Sequence, residues 1–298
     1  MNKYVIYTVI TNGYDKLIEP EKVQSGIDYI CFTDSTDLKS KTWKIRKIPE
    51  WTKNVPKNKR QRMLKVLPHV ILPEYEMSLY IDGNVKIKGD VKNIFNVVNP
   101  HIISIPKHPA RTCIYREGIA VMKIGKDIPE NVMPQMERYL EEKFPTDYGL
   151  FETNIIFRKH NEPECKRLMD RWALEIMMGS HRDQLSLTYA MWATNTKVFA
   201  LPKMTRNSDV FWTNMRHGDS GPANQKPKAI VKKVEKKPVK SKQNVQKKPV
   251  QKTPKKPKSP SKPNVKVNKM VQLKKNQSKN KSTNKKRSVR VSTLSLLS

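Results

Sequence analysis

The stretch SLYIDGNVKI, residues 78–87, decides how the whole chain is read. Asp82-Gly83-Asn84 follows the apolar run MSLYI, and Asp-Gly and Gly-Asn are turn dipeptides, so one reading simply closes a hairpin onto VKI. The other ends a buried strand at Asp82 and leaves a carboxylate and an amide at its carboxyl edge. Ligands gather at such edges in open α/β sheets. The flanking segments have to choose between the two.

Working outward, KYVIYTVIT (3–11) and IDYICFTD (27–34) are rich in β-branched and aromatic residues and end in turn formers, the form of strands buried on both faces. WKIRKI (43–48) reads as a third strand. In PKNKRQRMLKVLPHVIL, Met63, Leu64, Val66, Leu67 and Val70 leave Arg60 and Lys65 toward another face, so a helix is expected from near Pro56 to near Pro68. EMSLYID is then a fourth strand, DVKNIFNVV a short helix and HIISIPKHP a fifth strand. Strand and helix alternate, which predicts an α/β fold with a mixed, mostly parallel sheet flanked by helices.

Further along, residues 114–125 and 129–144 look helical, the second with Pro134 as a kink or interruption, and 149–160 reads as a strand. Residues 162–179 form a helix, and SHRDQLSLTYAMWAT (180–194) another, with Ser180 as its N-cap. KVFALP (197–202) is a last strand.

Composition divides the chain. Of 59 Lys and Arg, 25 lie in residues 221–298 against one acid, Glu235, so that segment carries +24 of the formal net charge of +32. Every Trp, Tyr and Phe precedes it. Residues 1–220 are therefore expected to fold as one domain, and 221–298, Lys- and Pro-rich without apolar period, to be a disordered basic tail. The tail suits salt-dependent, nonspecific contact with nucleic acid or another polyanion, but has no aromatic side chain for base stacking. Three widely spaced cysteines give neither a disulfide framework nor a zinc spacing. No transmembrane segment or signal peptide is seen, and a non-secreted, cytoplasmic setting is expected.

Three strand ends then carry polar residues: Thr11 and Asn12, Thr33 and Asp34, Asp82 and Asn84. Asp82 and the Asn84 amide oxygen suit a hard cation whose remaining ligands come from phosphate. Arg60 and Lys65 form either a solvated helix face or a diphosphate contact. Asp183 and Gln184 at a helix start either cap it or hold sugar hydroxyls. His108, with Arg111 and Glu117, lies in the loop after the fifth strand, and His217 alone reads as a linker residue.

Taken in order, CFTD, the Arg/Lys helix, YIDGN, the His-Pro-x-Arg loop, GLFETNIIFRKHN and SHRDQLSL resemble the domain of unknown function 616 family over about residues 3–215. That family is similar to glycogenin-type GT-A glycosyltransferases, some plant members being putative hexosyltransferases. The resemblance implies a GT-A (Rossmann-like) sheet, a nucleotide-sugar donor with UDP-sugars favoured, and Mn²⁺ or Mg²⁺ at a DxD-like site. Asp82, Asn84 and a late His, here His217, would be the metal ligands. Thr11, Asn12, Asp34 and His108 would border the donor, Arg60 and Lys65 would neutralise phosphate, and Asp183 with Gln184 would orient the sugar. Asn84 stands where a full DxD has its second carboxylate. Some members carry a lipid-hydrolase assignment, but no GxSxG, HExxH or Cys–His pairing is present here. The competing expectation is a catalytically inactive scaffold that binds polyanions through its tail.

Overall fold

The computed structural model describes residues 2–201, 207–208, 211–215 and 217. The domain limit expected at residue 220 and the basic tail lie outside them. A seven-stranded sheet has the order β3-β2-β1-β4-β7-β6-β8. Its strands are β1 (Tyr4–Ile10), β2 (Ile27–Thr33), β3 (Lys44–Lys47), β4 (Met77–Ile81), β6 (Ile103–Pro106), β7 (Ile155–Arg158) and β8 (Phe199–Leu201). All neighbouring pairs are parallel except those made by β7, which runs antiparallel to β4 and β6. The mixed, mostly parallel sheet expected from the alternation is therefore present.

The sheet's two faces follow from strand periodicity. Val5, Tyr7 and Val9 of β1 enter one core with α1 (Lys57–Val66), α2 (Pro68–Ile71), α6 (Pro163–Met178) and α7 (Leu187–Thr194). Ile6 and Ile10 enter the opposite core, with α3 (Lys92–Val98) and Trp212. A third cluster joins α4 (Ile114–Lys123) and α5 (Pro129–Glu141) to Leu185 and Tyr189. Helix α5 runs through Pro134 as a single element. Each fully buried Leu, Ile or Phe in these clusters contributes about 1.5–3 kcal/mol of transfer free energy. The three cysteines are buried and free. Among the described residues no helix is long and apolar enough to cross a membrane.

A polar spine crosses the first core. The fully buried Arg158 donates to the Tyr7 hydroxyl at 2.5 Å, which donates to the Lys65 carbonyl at 2.7 Å. Burial pushes the Tyr7 phenol up to about 12.

Beside this spine His160 is fully buried, with Nε2 2.9 Å from the Leu72 carbonyl. Burial, with the nearby Arg158 and His69 charges, pushes its pKa down to about 4. Below an unfolded pKa of about 6.5 the unfolded chain takes up the proton first, so stability is full above that pH and falls as pH drops toward 4. The loss is about 3 kcal/mol in order of magnitude. Urea unfolding at pH 7 and pH 4 should show it, and His160→Gln, which keeps a donor for Leu72, should flatten the difference.

Candidate functional site

Because β2, β1 and β4 are adjacent and parallel, their carboxyl ends share one edge. Asn12 has a left-handed backbone, φ 57°, and its N–H donates to both Asp34 oxygens at 3.0 Å. Asn tolerates that conformation better than most residues. Asp34 therefore pins the turn that follows β1, and Thr11 is buried beneath it.

The Asp82 turn is real, since the Val85 N–H donates to the Asp82 carbonyl at 2.9 Å, but it closes no hairpin. β5 (Val85–Ile87) leaves the main sheet and pairs antiparallel with β10 (Trp212–Asn214), which also pairs with β9 (Asn207–Ser208). The ladder continues past β10. The Met215 N–H donates to the Asn84 carbonyl at 2.7 Å, and Asn84 Nδ2 donates to the Met215 carbonyl at 2.8 Å. Gly83 is closely packed: a Cβ there would stand 3.0 Å from Asp15 Cβ and Oδ2 and 3.2 Å from Ile10 Cγ1. Asp15 Oδ1 in turn lies 3.0 Å from His217 Nδ1, and the Tyr14 ring is 5.0 Å from the imidazole. His217 is thus no linker residue.

Lys65 stays out of the apolar cluster that takes Met63, Leu64, Val66 and Leu67, but its face of α1 is not solvated. Its side chain is 1% exposed, and its Nζ lies 2.6 Å from Asp183 Oδ2 and 3.4 Å from Asp82 Oδ1. The reason is electrostatic: a lysine this buried persists only when paired. Tyr80 donates to Asp82 Oδ1 at 2.7 Å and receives from Gln61 Nε2 at 2.6 Å. Arg62 Nε lies 3.6 Å from Asp183 Oδ1. Burial alone would raise the Asp183 pKa, but the Lys65, Arg62 and Arg182 charges hold it well below the usual carboxylate range. Asp183 is therefore an anion at any ordinary pH. Arg60 turns elsewhere, donating to the Val55 and Lys53 carbonyls at 2.9 and 3.1 Å.

The helix expected from residue 180 is interrupted. Asp183–Leu185 form a single 3-10 turn and α7 starts at Leu187, so Ser180 caps no helix. It is buried instead, receiving the Arg182 N–H at 3.0 Å and donating to Asp127. His181 Nδ1 lies 3.0 Å from Asp127 as well. Serine and histidine thus both address the carboxylate and not each other, so this cluster lacks the serine–base contact of a hydrolase. The Asp183 turn is fixed by its carbonyl, which accepts from Trp172 Nε1 at 2.9 Å and Ser186 Oγ at 3.0 Å. Gln184 Nε2 donates to the Phe151 carbonyl at 2.8 Å.

Among the expected site residues, the structure joins Asp82, Lys65 and Asp183 directly and sets Thr11, Asn12 and Asp34 on the same edge. Asn84 and His217 meet at the same turn through Met215 and Asp15. Arg60 serves its own loop. His108 Nδ1 likewise accepts the Ala110 and Arg111 N–H groups at 3.2 and 2.9 Å, next to the Arg111–Glu117 pair. Tyr80 and Asp15 were not singled out from the sequence, although Asp15 closes the polar run TNGYD at the end of β1. Among the described residues no three His, Cys, Asp or Glu side chains are grouped to hold a metal ion.

Residues 1–212 match the family described as TOD1/MUCI70, glycosyltransferase-like domain. No curated protein sequence matches the chain. Among solved structures, mouse xyloside xylosyltransferase 1 in its apo form is 12% identical at a TM-score of 0.42, over 66% of this chain and 84% of that one. The apo structure of the bifunctional glycosyltransferase WbbM is 10% identical at a TM-score of 0.42, over 67% of this chain and 39% of that one.

Proposed function

The chain belongs to the TOD1/MUCI70 glycosyltransferase-like domain family, and from that premise we propose that it moves a hexose from a nucleotide-sugar donor, a UDP-sugar by preference, to an acceptor hydroxyl with a divalent cation's help. The observation that carries this reading is the Asp82–Lys65–Asp183 cluster, which ties the carboxyl end of β4 to the 3-10 turn before α7.

A divalent cation fits the donor chemistry of the turn. Asp82 offers carboxylate oxygen, Asn84 keeps its amide oxygen while its Nδ2 is spent on Met215, and His217 offers an imidazole nitrogen. These are hard or borderline donors suited to Mg²⁺ or Mn²⁺. With two such residues and an amide, the set needs further ligands from the donor's phosphates. A bound cation would supply Lewis-acid charge toward the departing diphosphate.

In the transfer, the bond from the anomeric carbon to the diphosphate oxygen breaks and its electron pair stays on the diphosphate. A bond to the acceptor oxygen forms as that hydroxyl loses its proton, which passes to solvent water. Asp183, buried and held ionised, orients the sugar through the Lys65 and Arg62 cations it anchors, and Gln184 flanks it. Lys65 acts through the two carboxylates it orders, and the partly exposed Arg62 beside it can reach donor phosphate. Thr11, Asn12 and Asp34 shape the nucleotide edge through the rigid turn after β1.

Calorimetric titration of the full chain with UDP, UDP-glucose, UDP-galactose and GDP-mannose, each with and without Mn²⁺, tests this. Metal-dependent binding of one nucleotide, abolished by Asp82→Ala, is the expected result. A folded protein that binds none of them overturns it, and leaves the polyanion contact that the chain's +32 charge favours.

A further inference from the structure

We infer that Asp15 is a positioning residue for the metal site proposed above: its carboxylate fixes the His217 imidazole as the Nδ1–H tautomer and so leaves Nε2 as the ligand atom. The inference rests on that reading of the site and extends it to a residue outside the ligand set.

The geometry begins with Asp15 Oδ1, 3.0 Å from His217 Nδ1. An ionised carboxylate can only accept, so a neutral imidazole in this contact carries its proton on Nδ1 and its lone pair on Nε2. The Asp15 side chain is 11% exposed while that of His217 is 51% exposed, so the carboxylate is packed under the ring and the ring stays accessible. What Asp15 packs against is the metal turn itself. Gly83, between Asp82 and Asn84, has no side chain where a Cβ would stand 3.0 Å from Asp15. The backbone pairing of Met215 with Asn84 holds the other side of this arrangement in register. Asp15 is thus clamped between the turn bearing two ligands and the ring bearing the third.

Charge gives the arrangement its purpose. Asn84 brings a neutral oxygen, so Asp82 is the single anion among the three side chains. A carboxylate behind a ligating histidine raises that ligand's basicity and fixes its orientation, and losing such a partner typically lowers metal affinity about 10–100-fold. Asp15 restores through His217 the negative charge that Asn84 does not bring.

The test uses Mn²⁺ alone and the full chain. In the metal-free native protein, ¹⁵N-edited NMR of the imidazole should show His217 protonated at Nδ1. Asp15→Ala should weaken Mn²⁺ binding about 10–100-fold by calorimetry, while costing almost nothing further in a His217→Ala background. Asp15→Asn, which keeps an acceptor, should recover part of the loss. An Nε2–H tautomer, or an Asp15→Ala effect that is equal in both backgrounds, overturns the inference while the metal site stands. So does native affinity in Asp15→Ala when His217→Ala has lost it. Absence of Mn²⁺ binding by the native chain overturns both this inference and the metal reading.

Discussion

Lys65→Met is expected to lower the unfolding free energy by about 3–5 kcal/mol, because it leaves Asp183 as a buried charge without its nearest cation. Asp183 is 3% exposed and Lys65 1%, so water cannot substitute for the lost ammonium. The cost lies in the orphaned charge more than in the pair, so Lys65→Met combined with Asp183→Leu should recover most of the stability. Both variants should lower the proposed sugar transfer by about 10²–10³-fold, the scale for removing one preorganised electrostatic partner, because Asp82 loses the ammonium that orders it. The pH dependence follows from the direction of the Asp183 shift. Its folded pKa is depressed, so its contribution is full above an unfolded value of about 3.9 and is lost as pH falls below that. Lys65→Met removes one depressing charge and should move the acid unfolding limb to higher pH. Urea midpoints at pH 7 and across the acid range measure both effects. A native midpoint in Lys65→Met would show that the ammonium is not the partner the fold depends on.

Trp172→Ala should cost a similar 3–5 kcal/mol, the usual range for emptying a large aromatic site. The ring is fully buried in the core beneath α6 and its Nε1 donates to the Asp183 carbonyl at 2.9 Å. Trp172→Phe separates these two contributions. It keeps much of the apolar contact and removes the donor, so the expected loss is nearer 1–3 kcal/mol, with the Ser186 hydroxyl and N–H still donating to the Asp183 carbonyl. If the indole positions the Asp183 turn, Trp172→Phe should lower donor turnover by more than its stability loss explains. Equal melting behaviour and equal turnover to the native chain would reduce Trp172 to a packing residue.

The sheet was legible because its strands announce themselves locally. Val5, Tyr7 and Val9 alternate with Ile6 and Ile10, both sets are buried, and a strand buried on both faces reads as one continuous apolar run. Helices α1 and α6 followed from apolar periodicity and prolines at their starts. The shared edge of Thr11, Asp34 and Asp82 followed from strand order. Lys65 was not legible as a buried residue, because KNKRQRMLKV has the look of a solvated basic face and the carboxylate that draws Lys65 inward comes from the Asp183 turn, far along the chain. Ser180 looked like a helix cap because a serine before a charged turn usually is one. Its hydroxyl is captured instead by Asp127, a tertiary contact with no local signature. The hairpin reading of the DGN turn stayed open for the same reason: its partner strand, β10, lies 125 residues and more downstream of β5, counting from Ile87 to Trp212.

That last pairing also sets a timetable. Asn84 and Met215 are 131 positions apart, and closing so long a loop comes late in folding because its entropy must be spent before the contact rewards it. During synthesis, at about 5–20 residues per second, several seconds separate the emergence of the DGN turn from that of the strand that clips it. Through that interval β1, β2 and β4 can already stand together with the turn open on one side. The turn of Asp82 and Asn84, with Asp15 behind it, is then unclipped, so a nascent chain halted before residue 212 carries a sheet whose candidate site is unfinished.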